Sequence, residues 1–315
     1  MEDPTRAHHR SDALPARRRF DEVECTLSHL LRFPHPALRG RRYGEALLQG
    51  IAARDIAAGP GGVLEIGGGA GHIAEAAWRG DAGPFTGSRW ISLDLSPALL
   101  DAQRRRAFGI GADPRSVPRG PHGCWSGVRG DAVALPVRTR SFRGLILANE
   151  VLADLAVRDG VNTGAAELVR EIARALAPGG AAVLTEFGGD FLPAPVQLTG
   201  GLGTGEHTEW SVDFRHLRAT AAECSLDVEE IPLHELLGAD LSMRCASYTD
   251  LWRLRRLVRC EVFAAPAEEV RRRYPVLSRL LALELPPLGS PRWPDAGAAA
   301  GFAQLFRALL LRQRS

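Results

Sequence analysis

The residues best suited to chemistry crowd into 62–72, Gly-Val-Leu-Glu-Ile-Gly-Gly-Gly-Ala-Gly-His. Val63, Leu64 and Ile66 form a short apolar run that carries one acid, Glu65, and the run breaks into Gly67, Gly68, Gly69 and Gly71. Glycine lets a backbone turn where a Cβ would forbid it, and it lets a ligand lie directly on the main chain. Ile73-Ala-Glu-Ala-Ala-Trp78 follows with a helical pattern, whose first N–H groups are open to an anion. Gly69-Ala-Gly71-His-Ile-Ala74 fits the G-x-G-x-x-G/A form of a dinucleotide site. Glu65-Ile-Gly67-Gly-Gly69-Ala-Gly71 also fits E-x-G-x-G-x-G. A dinucleotide, another nucleoside-bearing ligand and a glycine turn that binds nothing are all compatible with these spacings.

Other polar residues stand at the ends of apolar runs. Asp94 ends Arg89-Trp-Ile-Ser-Leu-Asp94, and a carboxylate there can accept both ribose hydroxyls at once. A helix-capping or turn aspartate is the plain alternative. Asp131 follows Val128-Arg-Gly130, where a surface turn competes with a ligand role. Asn149 and Glu150 come directly after the buried run 141–148, and ligands of open α/β sheets sit beyond such carboxyl ends. Glu186 lies near the end of Ala181–Phe187. His207 stands in Glu206-His-Thr-Glu209-Trp210, at the end of a glycine-rich stretch.

The elements that must position these residues alternate between strands and helices. Strands are expected at 62–66, 89–94, 128–130, 141–148, 181–187 and 226–233, with helices between them. Ser96-Pro97 opens one helix, with proline at a favoured first-turn position. Residues 165–177 place Leu168, Val169, Ile172 and Leu176 on one helical face, and Pro178-Gly-Gly180 stops that helix. Residues 111–127, rich in Gly, Pro and Ser, read as loop. Residues 188–211 read as a long loop suited to a substrate lid, or to a segment that Trp210 merely anchors. Leu305–Leu311 is apolar and too short for its period to decide between helix and strand.

The domain boundaries follow from these runs. Residues 1–19 are a basic, disordered N-terminus. Residues 20–60 are a helical cap, with helices near 20–32 and 43–56 that close over the ligand or pack on the sheet. Residues 61–233 are the α/β core. Residues 234–300 are an Arg-rich helical insertion, read as a solvated face or a partner site. Residues 301–315 are a final apolar run and tail, which the resemblance given below makes the last core strand.

Composition removes several classes of chemistry. All 39 basic residues are arginine, so a Walker-A lysine, a Schiff-base lysine and the Tyr-x-x-x-Lys pair of short-chain dehydrogenases are excluded. Five cysteines without a C-x-x-C spacing suggest neither zinc nor a disulfide framework, and no metal is expected. A net charge of +2 predicts no nucleic-acid partner. Without a signal segment or a spanning run, a soluble, cytoplasmic protein is expected.

The E-x-G-x-G-x-G stretch resembles motif I of the class I S-adenosylmethionine (SAM) methyltransferases. The resemblance covers about 62–187 and implies a Rossmann-like, seven-stranded α/β sheet with SAM as cofactor. Glu65, Gly67, Gly69 and Gly71 would then hold the methionine part, Asp94 the ribose and Asp131 the adenine amino group. Leu95, Ala132 and Asn149 complete that set. Four further stretches are similar to the MidA-like group, which contains the mitochondrial complex I assembly arginine methyltransferase. They are Leu93–Gln103, Leu147–Val157, Trp210–Leu217 and Gly301–Leu309. The last implies that 305–311 is a seventh strand, inserted between strands 5 and 6. That group's amino-terminal G-D-F-x-T-A-P-E stretch is missing here, and position 94 is Asp where the group has Glu.

The implied function is methyl transfer to nitrogen, of arginine or of another peptide or natural-product group, or to oxygen. Glu150 and Glu186 would orient a guanidinium, and His207 would serve a hydroxyl or carboxylate acceptor. The acceptor is a peptide, a protein or a small molecule, and a homodimer is compatible. A non-catalytic assembly protein that keeps the fold, and a nicotinamide-dependent oxidoreductase, are the competing functions.

Overall fold

In the computed structural model the described residues are 34–79, 82–108, 119–120, 123–190, 197–199, 208–244, 267–273, 275–280, 287–288 and 306–314. Seven strands form the frame: β1 (Val63–Ile66), β2 (Trp90–Asp94), β3 (Gly123–Arg129), β4 (Leu145–Asn149), β5 (Ala181–Phe187), β6 (Leu226–Pro232) and β7 (Phe306–Gln313). They lie side by side as β3-β2-β1-β4-β5-β7-β6, with Arg119–Gly120 as a short extra edge beyond β3. The first five pair in parallel, and β7 runs antiparallel to both β5 and β6. This is the Rossmann-like methyltransferase sheet, with its last strand between the fifth and sixth.

The helices are α1 (Tyr43–Ala52), α2 (His72–Arg79), α3 (Pro97–Phe108), α4 (Thr163–Ala175), α5 (Phe214–Glu223), α6 (Leu233–Leu237), α7 (Ala267–Arg273) and α8 (Pro275–Leu280). β1 is buried at every position, as its uninterrupted apolar pattern requires of a central parallel strand. One core joins β1, β4, β5 and β7 to α1, α2 and α6 through Val63, Leu145, Leu147, Val183, Leu310, Leu47, Ala77 and Leu236. The other packs α4 and α5 on the opposite face through Ile66, Ile146, Leu184, Leu168, Ile172 and Leu217. α1 sits unusually close to its neighbours. A Cβ on Gly50 would meet the Leu236 carbonyl oxygen at 1.8 Å, and one on Gly44 would meet the Ala76 Cβ at 2.8 Å.

Register places the functional edge. Ile66 lies opposite Leu93 on one side and Ala148 on the other, so β1, β2 and β4 finish together. The chain leaves β1 with strands of opposite succession on either side, and this is where such sheets open a crevice.

Three expectations are corrected. Residues 123–127, read as loop, belong to β3. Their Gly, Cys and Ser hide a strand whose Trp125 is buried opposite Trp90. Residues 141–144 lie outside β4, though Phe142 bridges Leu176. α1 ends at Ala52, where the sequence pattern runs to 56. The run 305–311 falls on β7, and 197–199 pairs with 208–210 in a short hairpin inside the expected loop. The N-terminus, the helix expected at 20–32 and most of 234–300 lie outside the described residues. No helix among the described residues is long and apolar enough to cross a membrane.

Candidate cofactor site

The glycine loop leaves β1 in a left-handed conformation. Gly67, Gly69 and Gly71 have φ of +61°, +52° and +80°, which side chains resist. The Gly71 N–H closes the turn on the Gly68 carbonyl at 2.8 Å, and α2 starts there. α3 holds the loop from the side. Gln103 Nε2 donates to the Gly69 carbonyl at 2.9 Å, and Arg106 Nε donates to that of Ala70 at 2.6 Å. Arg106 also pairs with Glu75 of α2 at 3.0 Å. Around Gly67 and Gly68 space is tight, since Cβ atoms there would meet Val151 Cγ2 and the Glu65 carboxyl at 2.7 Å. Gly69 differs, for a Cβ there would meet nothing within 4 Å. The loop thus turns one bare stretch of main chain toward open space.

Two buried acids flank the loop. Glu65 is 1% exposed, and its Oε2 accepts from Trp90 Nε1 at 2.7 Å. Its Oε1 has no hydrogen-bond partner among the described residues. Burial pushes this carboxyl up to about 8, against the Trp90 bond, and the charge of Asp94 adds to the rise. Asp94 is 7% exposed, and its Oδ1 accepts from the Ser96 N–H at 2.9 Å. Burial raises Asp94 to about 7 although the N–H groups of Ser96 and Leu95 oppose it, and Asp154 adds like charge. A carboxylate so short of water is matched by hydroxyl donors, as two ribose hydroxyls would be. The open backbone at Gly69 and the desolvated Asp94 fit a nucleoside ligand with an extended polar arm.

The same indole device recurs one strand further out, where Trp125 Nε1 donates to Ser92 Oγ at 2.9 Å. Each tryptophan reaches a polar side chain two residues along the neighbouring strand.

At the ends of β4 and β5 the contacts are of another kind. Asn149 Oδ1 accepts from Thr185 Oγ1 at 2.7 Å and from the Tyr43 hydroxyl of α1 at 2.5 Å. Glu150 follows with φ +53°, and its N–H bonds to the Thr185 carbonyl at 3.0 Å. Glu186 is 2% exposed. Its Oε2 accepts from the Ala153 N–H at 3.0 Å and its Oε1 from its own Phe187's N–H at 2.8 Å. That carboxylate therefore ties the short turn Leu152–Asp154 to β5.

Asp131 and Ala132 lie in the turn after β3, which the Gly130 N–H joins to the Asp94 carbonyl at 3.0 Å. Asp131 Oδ1 accepts from Val133 N at 3.1 Å, and Leu95 is half-buried where β2 ends. The structure thus gathers Glu65, Gly67, Gly69, Gly71, Asp94, Leu95, Asn149 and Glu150 along one edge. His207 lies outside the described residues. Among those residues no group of three or more His, Cys, Asp or Glu is arranged for a metal ion. Tyr43, Thr185, Trp90 and Arg106 were not expected from sequence. They are a tyrosine heading a helix, a threonine inside a strand, a strand tryptophan and one arginine among many, and none carries a motif.

Residues 64–184 match the family model described as a methyltransferase domain, which is less than half of the 315-residue chain. No curated protein sequence matches the chain. Among solved structures, the [4+2]-cyclase SpnF is 15% identical, covers 85% of this chain and 80% of its own, and has a TM-score of 0.44. A Galdieria sulphuraria protein, proposed as a sarcosine dimethylglycine methyltransferase, is 16% identical over 90% of this chain and 92% of its own, with a TM-score of 0.49. A SAM-dependent methyltransferase from Mesorhizobium loti is 16% identical over 92% and 99%, with a TM-score of 0.43.

Proposed function

We propose that the protein, whose residues 64–184 match a methyltransferase domain, takes SAM as its cofactor and transfers a methyl group to a nitrogen acceptor, with Glu150 as the carboxylate that orients it. The cofactor, when bound, supplies an electrophilic methyl on a sulfonium. Asp94 accepts hydrogen bonds from the ribose, and Asp131 and Ala132 border the adenine. The loop at Gly67, Gly69 and Gly71 cradles the amino-acid arm beside Glu65, with Leu95 and Asn149 at its flanks.

The observation that carries the acceptor reading is the backbone of Glu150. A non-glycine residue at φ +53° costs on the order of 1 kcal/mol. It sits next to Asn149 at the mouth of the crevice, held by Thr185. A residue kept in that conformation beyond a buried strand supports a role toward a ligand. Glu186, gripped by two main-chain N–H groups, shapes the same mouth by holding the Leu152–Asp154 turn. A guanidinium presents paired N–H donors that a carboxylate matches. The MidA-like resemblance makes arginine in a peptide the first acceptor to test, and His207 is the base for an oxygen acceptor.

Calorimetric titration with SAM and with NADH comes first, followed by mass spectrometry of Arg-containing peptides and small oxygen acceptors. Micromolar SAM binding, no NADH binding and a methylated guanidinium are expected. Glu150→Gln is expected to keep SAM affinity within twofold and to lose transfer by roughly 100-fold, as for a positioned charged group. Methylation only of oxygen would replace nitrogen as the acceptor. SAM binding without turnover on any acceptor would favour an assembly protein.

A further inference from the structure

We propose that Tyr43 and Thr185 are positioning residues that lock the amide of Asn149 so that its nitrogen is presented to the carboxylate of the cofactor's amino-acid arm; this rests on Asn149 being a cofactor residue. Register pairs Asn149 with Thr185, so both side chains leave the sheet on one face, the face of Leu145, Leu147 and Val183. α1 covers that face, and its first residue, Tyr43, is fully buried there. The tight seating of Gly44 and Gly50 on α2 and α6 fixes where the Tyr43 ring can reach.

An amide oxygen has two lone pairs, and here two hydroxyls donate to it, at 2.5 Å and 2.7 Å. Turned over, the amide would donate to the two hydroxyl oxygens, and both hydroxyl protons would have to find other acceptors. Tyr43 and Thr185 are both buried, and replacing such bonds there is costly. Asn149 itself is half-buried. Its oxygen is taken by Tyr43 and Thr185, so the nitrogen is the end we assign to a ligand at the carboxyl edge. Pairing of Ile66 with Ala148 sets Asn149 beside Gly67, where the loop begins. An amide nitrogen only donates. The group it meets must accept a hydrogen bond, which a carboxylate does and an ammonium does not.

The test compares two ligands by calorimetry: S-adenosylhomocysteine, which has the amino-acid arm, and 5′-methylthioadenosine, which lacks it. Tyr43→Phe and Thr185→Val each remove one hydroxyl. Each is expected to weaken S-adenosylhomocysteine roughly threefold to tenfold, the size of one hydrogen bond, and to leave methylthioadenosine within about twofold. Thr185→Ser should restore wild-type affinity. In an Asn149→Ala background Tyr43→Phe should cost nothing further. A Tyr43→Phe loss that persists without Asn149, or that falls equally on both ligands, would overturn the proposal and leave only a packing role. If Asn149→Ala alone leaves S-adenosylhomocysteine binding unchanged, the cofactor role of Asn149 fails. If it weakens binding while Tyr43→Phe does not, the positioning role alone fails. Thermal midpoints of the ligand-free variants separate these losses from unfolding.

Discussion

The two walls of the crevice hold their ligand-facing groups by different means. On the β1–β2 wall the grip is main chain and buried charge: a left-handed glycine loop, Glu65 under an indole, and Asp94 deprived of water. On the β4–β5 wall Asn149 is gripped by a neutral network, in which Tyr43, Asn149 and Thr185 meet at one oxygen, beside the carboxylates of Glu150 and Glu186. The first wall is built from the loop and the ends of β1 and β2, with Gln103 and Arg106 of α3 bracing the loop. The second depends on α1, whose Tyr43 is far from Asn149 in the chain. A ligand meeting the first wall encounters fixed geometry and a proton equilibrium. One meeting the second encounters an orientation set by packing elsewhere.

The sharpest way to break the comparison is at Gly69. Gly69→Ala places a methyl in the open space over the loop, at a φ of +52° that costs on the order of 1 kcal/mol of stability. SAM affinity is expected to fall by at least roughly 100-fold, because the ligand must approach the bare backbone. A variant that stays folded by circular dichroism and binds SAM normally would remove the loop from the site.

Next in size is Asp94. Asp94→Ala is expected to weaken SAM by about 1–3 kcal/mol, as for a lost charged hydrogen bond. Proton linkage adds a second readout. In the free protein Asp94 titrates at about 7, and hydroxyl donors favour its charged form. Binding therefore expels a proton below pH 7. SAM affinity should rise with pH by up to about tenfold per unit and level off above 7. Asp94→Asn should abolish that slope, and a slope that survives the change would refute the ribose role. Tyr43→Phe, on the β4–β5 wall, should leave the slope untouched while lowering affinity.

The difference between the walls is also a difference in legibility. Glu65, Gly67, Gly69, Gly71 and Asp94 could be found from sequence because a left-handed turn after a buried strand admits few residues, and an acid at a strand end has few uses. The positions of the strands follow from the same alternation, but the seven-stranded sheet, with β7 between β5 and β6, comes only from the family resemblance. β3 was read short because Gly123, Cys124, Ser126 and Gly127 have a loop's composition. A Cβ at Gly127 would meet the Trp125 ring at 2.7 Å, so that glycine serves packing and not a turn. Tyr43 was invisible because nothing local requires a hydroxyl at the start of α1. Its partner exists only once α1 is seated against α2 and α6. Glu186 was legible as a strand-end acid, but its capture by Ala153 and Phe187 N–H groups depends on how the chain turns after β4.

Glu65 offers the smallest effect and separates the two acids of the first wall. Its carboxyl titrates at about 8 in the folded protein, far above the 4.5 of an unfolded chain. As pH rises past 4.5 the unfolded state gives up this proton while the folded state keeps it. Stability linked to Glu65 is therefore complete below 4.5 and lost as pH climbs to about 8. Asp94 acts with the same sign, but its loss fades above about 7. Of the two acids, Glu65 therefore carries the larger share of what is lost between pH 7 and 8. Glu65→Gln keeps an oxygen for Trp90 Nε1 and has no charge to desolvate. Urea melts should show wild-type stability falling across that window by roughly 1 kcal/mol, on the scale of one pKa unit of differential protonation. The variant should lose clearly less there, while still losing stability from pH 4 to about 7 through Asp94. A wild-type curve flat between 7 and 8 would mean that Glu65 is ionised in the folded protein, with a donor on Oε1.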